Sequence, residues 1–323
     1  MTWQQTAGAG GFAVEGNLAE AVLAGAGDRG DRPALWDLDG GGAIGFARLA
    51  RTVRAAARGL RRHGLRTGDS VGVDLLPSPA GLTAAYAVLA AGGVLTPVGA
   101  DPDADAAALS ARDTRLLLAA PGRADVATAL AERSRVRQIL TMDAAPGTTS
   151  FAGLTDDLDD AAADTTAARG SGGAAGGPPC AGVPGISAEV PALWAPGAGR
   201  ARDHRALGKL MARLARLAPI AEPDTVLVAG PAADGAGLVA VVSLALARGA
   251  TVLTAGDMDA RRCRRVVTDR GVRLAVVPAP VVRALGTPRL PHDLPSLTGL
   301  LSPAPFLLAT ADAPTPRPAD ALR

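Results

Sequence analysis

Short apolar segments alternate with helical segments along most of this chain, and this alternation constrains the fold more than any other feature. Strands of four to six residues separated by helices are joined by right-handed crossovers, which place the strands side by side in parallel. The sequence therefore predicts an α/β fold with a largely parallel sheet covered by helices on both faces. The predicted strands are 33–38, 70–75, 94–98, 115–119, 136–141, 190–194, 225–229, 250–254 and 273–277. The predicted helices are 18–26, 46–63, 80–91, 102–111, 123–133, 204–217, 235–247, 258–270 and 280–285.

One interruption of this alternation suggests how the chain is divided. Residues 1–16 are rich in Gly and Ala and predict a flexible N-terminus, which is followed by a first α/β subdomain at 17–155. Residues 156–189 are rich in Asp, Ala, Gly and Pro and have little to bury, so they predict a flexible linker. A second α/β subdomain is predicted at 190–302, and 303–323 is predicted to be a Pro-rich tail without regular structure.

Composition argues against several classes of function. The 33 basic and 31 acidic residues leave a net charge of +2, and with four Phe, three Trp and one Tyr there is no aromatic platform for bases, so we do not expect nucleic acid as a partner. The longest apolar run, 237–247, is about half the ~20 residues of a membrane helix, and no basic segment precedes the first apolar residues, as it would in a signal peptide. We therefore predict a cytoplasmic protein without membrane contact. Cys180 and Cys263 lie far apart without a neighbouring ligand, which predicts neither a disulfide nor a metal site.

The segment 190–217 has the order strand, glycine turn, helix, which is the order of a phosphate-binding loop. The turn covers 196–199, and Asp203 is the predicted cap of the helix. Such a turn presents backbone N–H groups and a helix N-terminus to an anion. The candidate phosphate contacts are Gly197, Gly199, Arg200 and Arg202, and for the two arginines the alternative is an ordinary solvated surface position.

The side chains around this turn do not suit a nucleotide. No Ser or Thr lies between Pro191 and Leu210, and the only lysine of the chain, Lys209, lies in the middle of the following helix. We interpret Lys209 as a solvated lysine.

A second glycine pattern leaves a dinucleotide-binding alternative open. Gly235, Gly237 and Ala240 follow a predicted strand, and Asp257 comes at the end of the next strand, as in a dinucleotide-binding fingerprint. The match is loose, because 231–234 separates the strand from the first glycine. The alternative interpretation is glycine-rich packing of a helix.

The sequence names no catalytic residue. His63, His204 and His292 are scattered, and we interpret them as a helix C-terminus, a first helical turn and a loop. The motifs G-x-S-x-G, G-x-x-x-x-G-K-[ST] and H-E-x-x-H are absent, which excludes the commonest hydrolases, NTPases and metalloproteases.

Several short motifs, in one order, resemble a known enzyme family. In the first part of the chain they are G-L-R-T-G-D-S-V-G-V at 64–73, L-P-S-P at 76–79 and A-A-G-G-V-L-T-P-V at 90–98. The later motifs are D-T-V-L at 224–227, G-P at 230–231, G-A-T-V at 249–252, V-V-P-A-P at 276–280 and L-P-S-L at 294–297. This series resembles the adenylate-forming, or AMP-binding, enzymes: acyl-CoA synthetases, 4-coumarate-CoA ligase-like enzymes and peptide-synthetase adenylation domains. The resemblance covers about residues 17–310.

The resemblance implies both a fold and an activity. The fold is the large N-terminal domain of these enzymes, truncated here, with two stacked βαβ layers and largely parallel sheets. The activity is ATP-dependent conversion of a carboxylic acid to an acyl-adenylate, followed by transfer to a thiol such as coenzyme A. ATP and Mg²⁺ are implied as cofactors by the resemblance only.

The sequence also departs from the family. The family has a loop with the pattern S-G-T-T-G-x-P-K-G. In this chain only the segment Gly197, Ala198 and Gly199 can be matched to that loop. Asp234, which precedes Gly235, stands where the family has a histidine near the acyl pocket, so Asp234 and Gly235 are the weak candidates for a substrate pocket. The resemblance ends near 303–305, before the family segments that hold adenine, Mg²⁺ and ribose and before its C-terminal lysine.

These departures favour a protein that does not catalyse adenylation alone. The expected role is a partner or scaffold, for an intact acyl-activating enzyme or through self-association. One alternative is a surviving ligase whose C-terminal part is supplied by another chain, and another is a dinucleotide-dependent oxidoreductase that uses Gly235, Gly237 and Asp257.

Overall fold

The computed structural model describes most of the chain. The described ranges are 14–74, 77–99, 101–120, 122–142, 145–155, 185–194, 201–230, 235–285, 294, 296–303 and 306–310, with the side chains of 302–310 excepted. Several predictions fall outside these ranges: Gly197, Gly199, Arg200, Asp234, His292 and Cys180, together with 156–184 of the predicted linker and 1–13 of the N-terminus.

Two mostly parallel sheets of seven strands account for the described strands. The strands are β1 (Pro33–Asp37), β2 (Ala43–Gly45), β3 (Ser70–Asp74), β4 (Val94–Val98), β5 (Leu116–Ala119), β6 (Gln138–Thr141), β7 (Thr149–Ser150), β8 (Pro191–Trp194), β9 (Ala201–Asp203), β10 (Thr225–Ala229), β11 (Thr251–Ala255), β12 (Val272–Val276), β13 (Gly299–Pro303) and β14 (Phe306–Thr310). Sheet A has the order β14-β13-β12-β10-β11-β1-β2, and sheet B has the order β7-β6-β5-β3-β4-β8-β9.

The helices follow the predicted pattern closely. They are α1 (Leu18–Leu23), α2 (Ala26–Arg29), α3 (Phe46–Arg62), α4 (Pro79–Ala91), α5 (Pro102–Ala111), α6 (Ala124–Glu132), α7 (His204–Leu217), α8 (Gly235–Arg248), α9 (Ala260–Arg270) and α10 (Ala279–Leu285), with a 3-10 turn at Phe151–Thr155. The predicted helix 18–26 is divided into α1 and α2 at Ala24 and Gly25.

Each sheet contains a hairpin from the other part of the chain. β1 of the β1–β2 hairpin pairs in parallel with β11, and β8 of the β8–β9 hairpin pairs in parallel with β4. The sheets therefore do not follow the predicted division into 17–155 and 190–302, since both segments contribute strands to both sheets. The alternation of elements is a local signal and carries no information about which distant strand a hairpin joins.

Apart from the exchanged hairpins, the two sheets are built alike. In sheet B, β3, β4, β5 and β6 are connected by α4, α5 and α6, and in sheet A, β10, β11, β12 and β13 are connected by α8, α9 and α10. In both, the second strand lies on one side of the first and the third lies on the other. The chain thus contains the same four-strand unit twice.

The main core lies between the sheets and is filled by helices. One apolar cluster includes Val71 and Val73 of β3, Val226 and Val228 of β10, and residues of α1, α3, α4, α7 and α8. Smaller clusters cover the outer faces, with α9 and α10 on sheet A and α5 and α6 on sheet B. This arrangement confirms the predicted α/β fold with two stacked, largely parallel layers.

Helix composition reflects these positions. α3 carries arginines on one face and buries Leu49, Val53 and Leu60 on the other, as expected for a helix packed on one side. α4 and α8 are apolar all round, because they lie in the interior. They are linked by a 2.7 Å hydrogen bond between the Tyr86 and Ser243 hydroxyls.

The predicted tail 303–323 is not without structure throughout. Pro303 ends β13, and Phe306–Thr310 forms β14, antiparallel to β13. The prediction of no regular element there is wrong for these residues, because prolines at a turn obscured a short apolar strand that pairs with the strand before it.

Candidate functional site

The two strands that flank the predicted phosphate loop form a hairpin, and the helix begins only after the second strand. β8 and β9 are antiparallel, with Trp194 opposite Ala201 and Pro191 opposite Asp203. The segment 195–200 therefore connects the carboxyl end of β8 to the start of β9. The helix α7 begins after β9, beside the amino-terminal end of β8. Three residues of extended strand span about 10 Å. The predicted order of strand, turn and helix is thus wrong, since β9 separates the turn from the helix.

The N-terminus of α7 is occupied by the chain itself. Asp203 is the N-cap, as predicted, and its Oδ1 accepts a hydrogen bond from the Ala206 N–H at 2.6 Å. A carboxylate at this position satisfies an amide and interacts favourably with the positive end of the helix dipole. An anion would therefore meet a negative charge at this helix start.

His204 forms a junction between two helices. It lies in the first turn of α7, as predicted, but it is fully buried, and its Nδ1 accepts a hydrogen bond from the Leu18 N–H at the start of α1, at 3.2 Å. Burial lowers the pKa of His204 to about 4, although the Asp203 charge acts in the opposite direction. Nδ1 is an acceptor here, so the neutral ring carries its proton on Nε2, which is buried without a partner in the described part of the chain. His204 is thus a neutral, structural residue.

The described basic residues near the loop are exposed. Arg202 lies on the edge strand β9 opposite Leu193, and no ion pair of its side chain exists among the described residues. Lys209 is exposed on α7, which confirms its interpretation as a solvated lysine. At the end of β8, the Trp194 ring packs against the Arg112 guanidinium, 4.7 Å from the ring centroid.

The residues of the dinucleotide alternative do not have the geometry of that fingerprint. Gly235 and Gly237 are buried in the first turn of α8, and Asp257 is exposed in the loop after β11. The backbone carbonyl of Asp257 accepts a hydrogen bond from Arg262 at 2.7 Å. In the fingerprint the first glycine forms the tight turn after the strand, whereas here it already belongs to the helix. Gly235, the predicted pocket residue, lies at the same helix start.

The carboxyl edge of sheet B carries a charged pair that sequence reasoning missed. Asp74 ends β3, and its side chain, which is 8% exposed, pairs with the Arg123 guanidinium just before α6. Gly99, after β4, has φ +119° and donates its N–H to Asp105 Oδ2 at 2.7 Å. A Cβ at Gly99 would lie 3.2 Å from Asp74 Oδ1. A carboxylate as the last residue of a buried strand was the available signal.

The equivalent place in sheet A is closed by packing. Gly230, after β10, has φ +78°, and a Cβ there would lie 2.4 Å from Cγ of Pro278, which follows β12. In open α/β sheets, ligands bind outside the carboxyl ends of two neighbouring strands whose connections run in opposite directions. In sheet B this position lies outside the carboxyl ends of β3 and β5, and in sheet A it lies outside those of β10 and β12. In both sheets the chain bridges this position with its own residues.

Two parallel-sheet layers with exchanged hairpins and a shared helical interior define the class: this is the fold of the large N-terminal domain of adenylate-forming enzymes. The family model for the AMP-binding enzyme matches residues 23–171. This match covers somewhat less than half of the chain, so over these residues the chain is similar to the AMP-binding enzymes.

Three solved structures illustrate the likeness. MbtA from Mycobacterium smegmatis is 23% identical with a TM-score of 0.70, and the match covers 90% of this chain and 53% of MbtA. The long-chain-fatty-acid-CoA ligase FadD1 from Archaeoglobus fulgidus is 16% identical with a TM-score of 0.69, covering 84% and 54%. A benzoate CoA ligase from Burkholderia xenovorans is 20% identical with a TM-score of 0.67, covering 88% and 55%. The chain spans about half the length of each. No curated protein matches the chain.

Among the described residues, no helix combines the length and the apolar character needed to cross a membrane.

Proposed function

We propose that this chain is a member of the carboxylate-activating lineage that does not form acyl-adenylates alone and acts as a partner or scaffold, for an intact acyl-activating enzyme or for a second copy of itself. The observation that carries the proposal is the composition of the loop after β8. The segment 191–208 contains no hydroxyl side chain and no lysine. The side chains that the family loop directs at a triphosphate are therefore replaced by Ala, Pro and Gly.

The chemistry explains why this replacement matters. A carboxylate and a triphosphate repel each other, and the reaction proceeds only where donors and cations are already placed around the developing charge. Removal of one such donor typically raises the barrier by about 2.7–4 kcal/mol, and here several are replaced together. A loop of this composition retains only its backbone amides and Arg200 and Arg202 for phosphate binding.

The local geometry supports the same proposal. α7 begins beside the amino-terminal end of β8, whereas the loop follows its carboxyl end. The N-terminus of α7 is capped by the Asp203 carboxylate. The residues at this helix start therefore do not fit the triphosphate of ATP.

ATP–pyrophosphate exchange tests the catalytic part of the proposal. The purified chain is assayed with Mg-ATP and a panel of fatty and aromatic acids, with an active family member as the positive control. We expect exchange at the level of the no-protein blank for every acid. Acid-dependent exchange above that level would contradict the proposal.

Sedimentation velocity tests the partner part. The chain is run alone over a range of concentrations and then with an intact acyl-activating enzyme from the same source. We expect either a concentration-dependent dimer or a stoichiometric complex. A monomer at all concentrations that also leaves the enzyme unshifted would contradict a partner role.

A split ligase remains the second candidate, because the described fold retains both complete four-strand units. A separately expressed C-terminal domain of the family, added to this chain, would restore acid-dependent exchange in that case. The oxidoreductase alternative predicts an increase of NADH fluorescence on binding. The position of Gly235 inside α8 argues against it.

A further inference from the structure

A cavity of about 270 Å³ lies apart from the loop after β8 and from both bridged sheet edges. It opens where the N-terminal halves of α3 and α4 meet the 3-10 turn 151–155 and the end of β6. Its walls include Ile44, Met142 and Phe151, and its polar side chains include Arg48, Thr52 and Thr83.

One wall of this cavity is apolar. Phe151 is buried, while Ile44 and Met142 are partly exposed and pack against the main core. A hydrocarbon group that covers these side chains is removed from water together with them, which favours binding by about 25 cal/mol per Å² of apolar surface.

The cavity is also lined by a cation and a hydroxyl that have no partners in the described part of the chain. Arg48 and Thr52 are four residues apart on α3 and so share one face of the helix. Neither side chain has a hydrogen bond or an ion pair among the described residues. Other arginines of this helix are engaged: Arg54 pairs with Glu20 at 3.6 Å, and Arg61 donates to the Thr67 hydroxyl at 3.3 Å.

The other two polar side chains that line the cavity, Thr83 and Thr155, can serve a ligand only as acceptors. The Thr83 hydroxyl donates to the Pro79 carbonyl and the Thr155 hydroxyl to the Ala152 carbonyl, both at 2.7 Å, so their protons are already used. The donors available to a ligand are therefore the guanidinium of Arg48 and the hydroxyl of Thr52.

We propose that this cavity binds a small monocarboxylate with an apolar body. The carboxylate pairs with Arg48 and accepts from Thr52, and the apolar body lies against Phe151 and Met142. A guanidinium matches a carboxylate in a two-bond geometry. Arg48 is the one charged residue that lines the cavity in the described chain, which favours a single negative charge over the double charge of a phosphate monoester. The volume of about 270 Å³ lies just below the range of about 300–1,000 Å³ that is usual for ligand pockets, which restricts the ligand to a small molecule.

The site is independent of the proposed function, because none of its residues belongs to the loop after β8. Whether or not the loop after β8 binds a triphosphate, the residues that line the cavity are the same. The two ideas therefore fail separately, and Mg-ATP is expected to leave binding at this cavity unaltered.

Fluorine NMR titration with 4-fluorophenylacetate tests the proposal directly. We expect saturable line broadening with the full chain, and weaker binding of 4-fluorophenylacetamide, which has the same shape without the charge. Arg48→Gln should raise the Kd about tenfold or more, since a charge-assisted pair is lost. Arg51→Gln is the matched control, because Arg51 is exposed on the same helix outside the cavity. It should leave the Kd unchanged.

A second variant tests the location without removing a charge. Ala152→Trp places bulk at the cavity from an exposed position, which keeps the risk to folding low. It should weaken binding at an unchanged melting temperature. Equal binding by Arg48→Gln and the parent, equal loss in Arg51→Gln, or equal binding of the amide would each overturn the proposal.

Discussion

The two four-strand units share one strand order but close the same position with different chemistry. In sheet B, the place outside β3 and β5 is bridged by the ion pair between Asp74 and Arg123. In sheet A, the place outside β10 and β12 is filled by Pro278 packed against Gly230. This is the position where α/β sheets commonly bind ligands. A shared strand order therefore does not preserve a binding position, since either an ion pair or apolar packing can occupy it.

Substitution at the contact between Gly230 and Pro278 in sheet A should lower the free energy of unfolding more than substitution at the ion pair in sheet B. Gly230→Ala places a Cβ at φ +78° within 2.4 Å of Pro278, so both backbone strain and overlap arise. We expect a loss of about 3–5 kcal/mol in the free energy of unfolding, measured by urea denaturation. Gly271→Ala is the control, since Gly271 also has a positive φ but open space around its Cβ position, and it should lose only about 1–2 kcal/mol. Equal losses would show that Pro278 does not close this position.

The charged bridge in sheet B comes next. Arg123→Gln removes the guanidinium from the buried Asp74 carboxylate, which keeps a further interaction, and should cost about 1.5–3 kcal/mol in urea denaturation. Arg133→Gln breaks a pair with Asp103 that is 49% and 81% exposed, and it should cost less than about 1 kcal/mol. If both variants lose the same amount, the pair at the sheet edge is only a surface interaction.

The buried His204, at the junction of α1 and α7, should make the free energy of unfolding depend on pH. The folded pKa of His204, about 4, lies below its ordinary value of 6.5, so its contribution to stability is complete above pH 6.5 and is lost as the pH falls towards 4. This shift corresponds to about 3 kcal/mol at most. Urea denaturation at several pH values measures it, and His204→Asn should flatten the profile in this range while the exposed-site variant His63→Asn does not. An unchanged profile in His204→Asn would contradict the assignment.

The contact between α4 and α8 should have the smallest effect. Tyr86→Phe leaves the buried Ser243 hydroxyl without its partner and should cost about 1–2 kcal/mol. The double variant Tyr86→Phe with Ser243→Ala should cost less than the sum of the two single variants, because no unpaired hydroxyl remains. Strict additivity in thermal or urea unfolding would show that the hydrogen bond does not couple these helices.

The sequence predicted local elements well and distant relations poorly. The helix predicted at 46–63 is Phe46–Arg62, because its apolar period is local and strong. The exchanged hairpins could not be predicted, since β1 and β11 are more than two hundred residues apart and no local pattern names a partner. Asp74 and Arg123 are 49 residues apart, so their pairing emerges only from the strand order.

The candidate loop shows the same limit. The sequence predicts no strand at 201–203, because a three-residue edge strand has too little periodicity to be detected. Because β9 runs back along β8, α7 begins beside the amino-terminal end of β8, away from the loop. The composition of the loop, in contrast, was readable without any structure, and it carries the functional proposal.

Calorimetric titration of the purified chain with Mg-ATP up to millimolar concentration tests the central claim most directly. We expect no heat beyond dilution and no shift of the melting temperature. Saturable binding in the micromolar range that is lost in Arg202→Ala but kept in Lys209→Ala would contradict it, because it would show that the loop after β8 still holds a triphosphate.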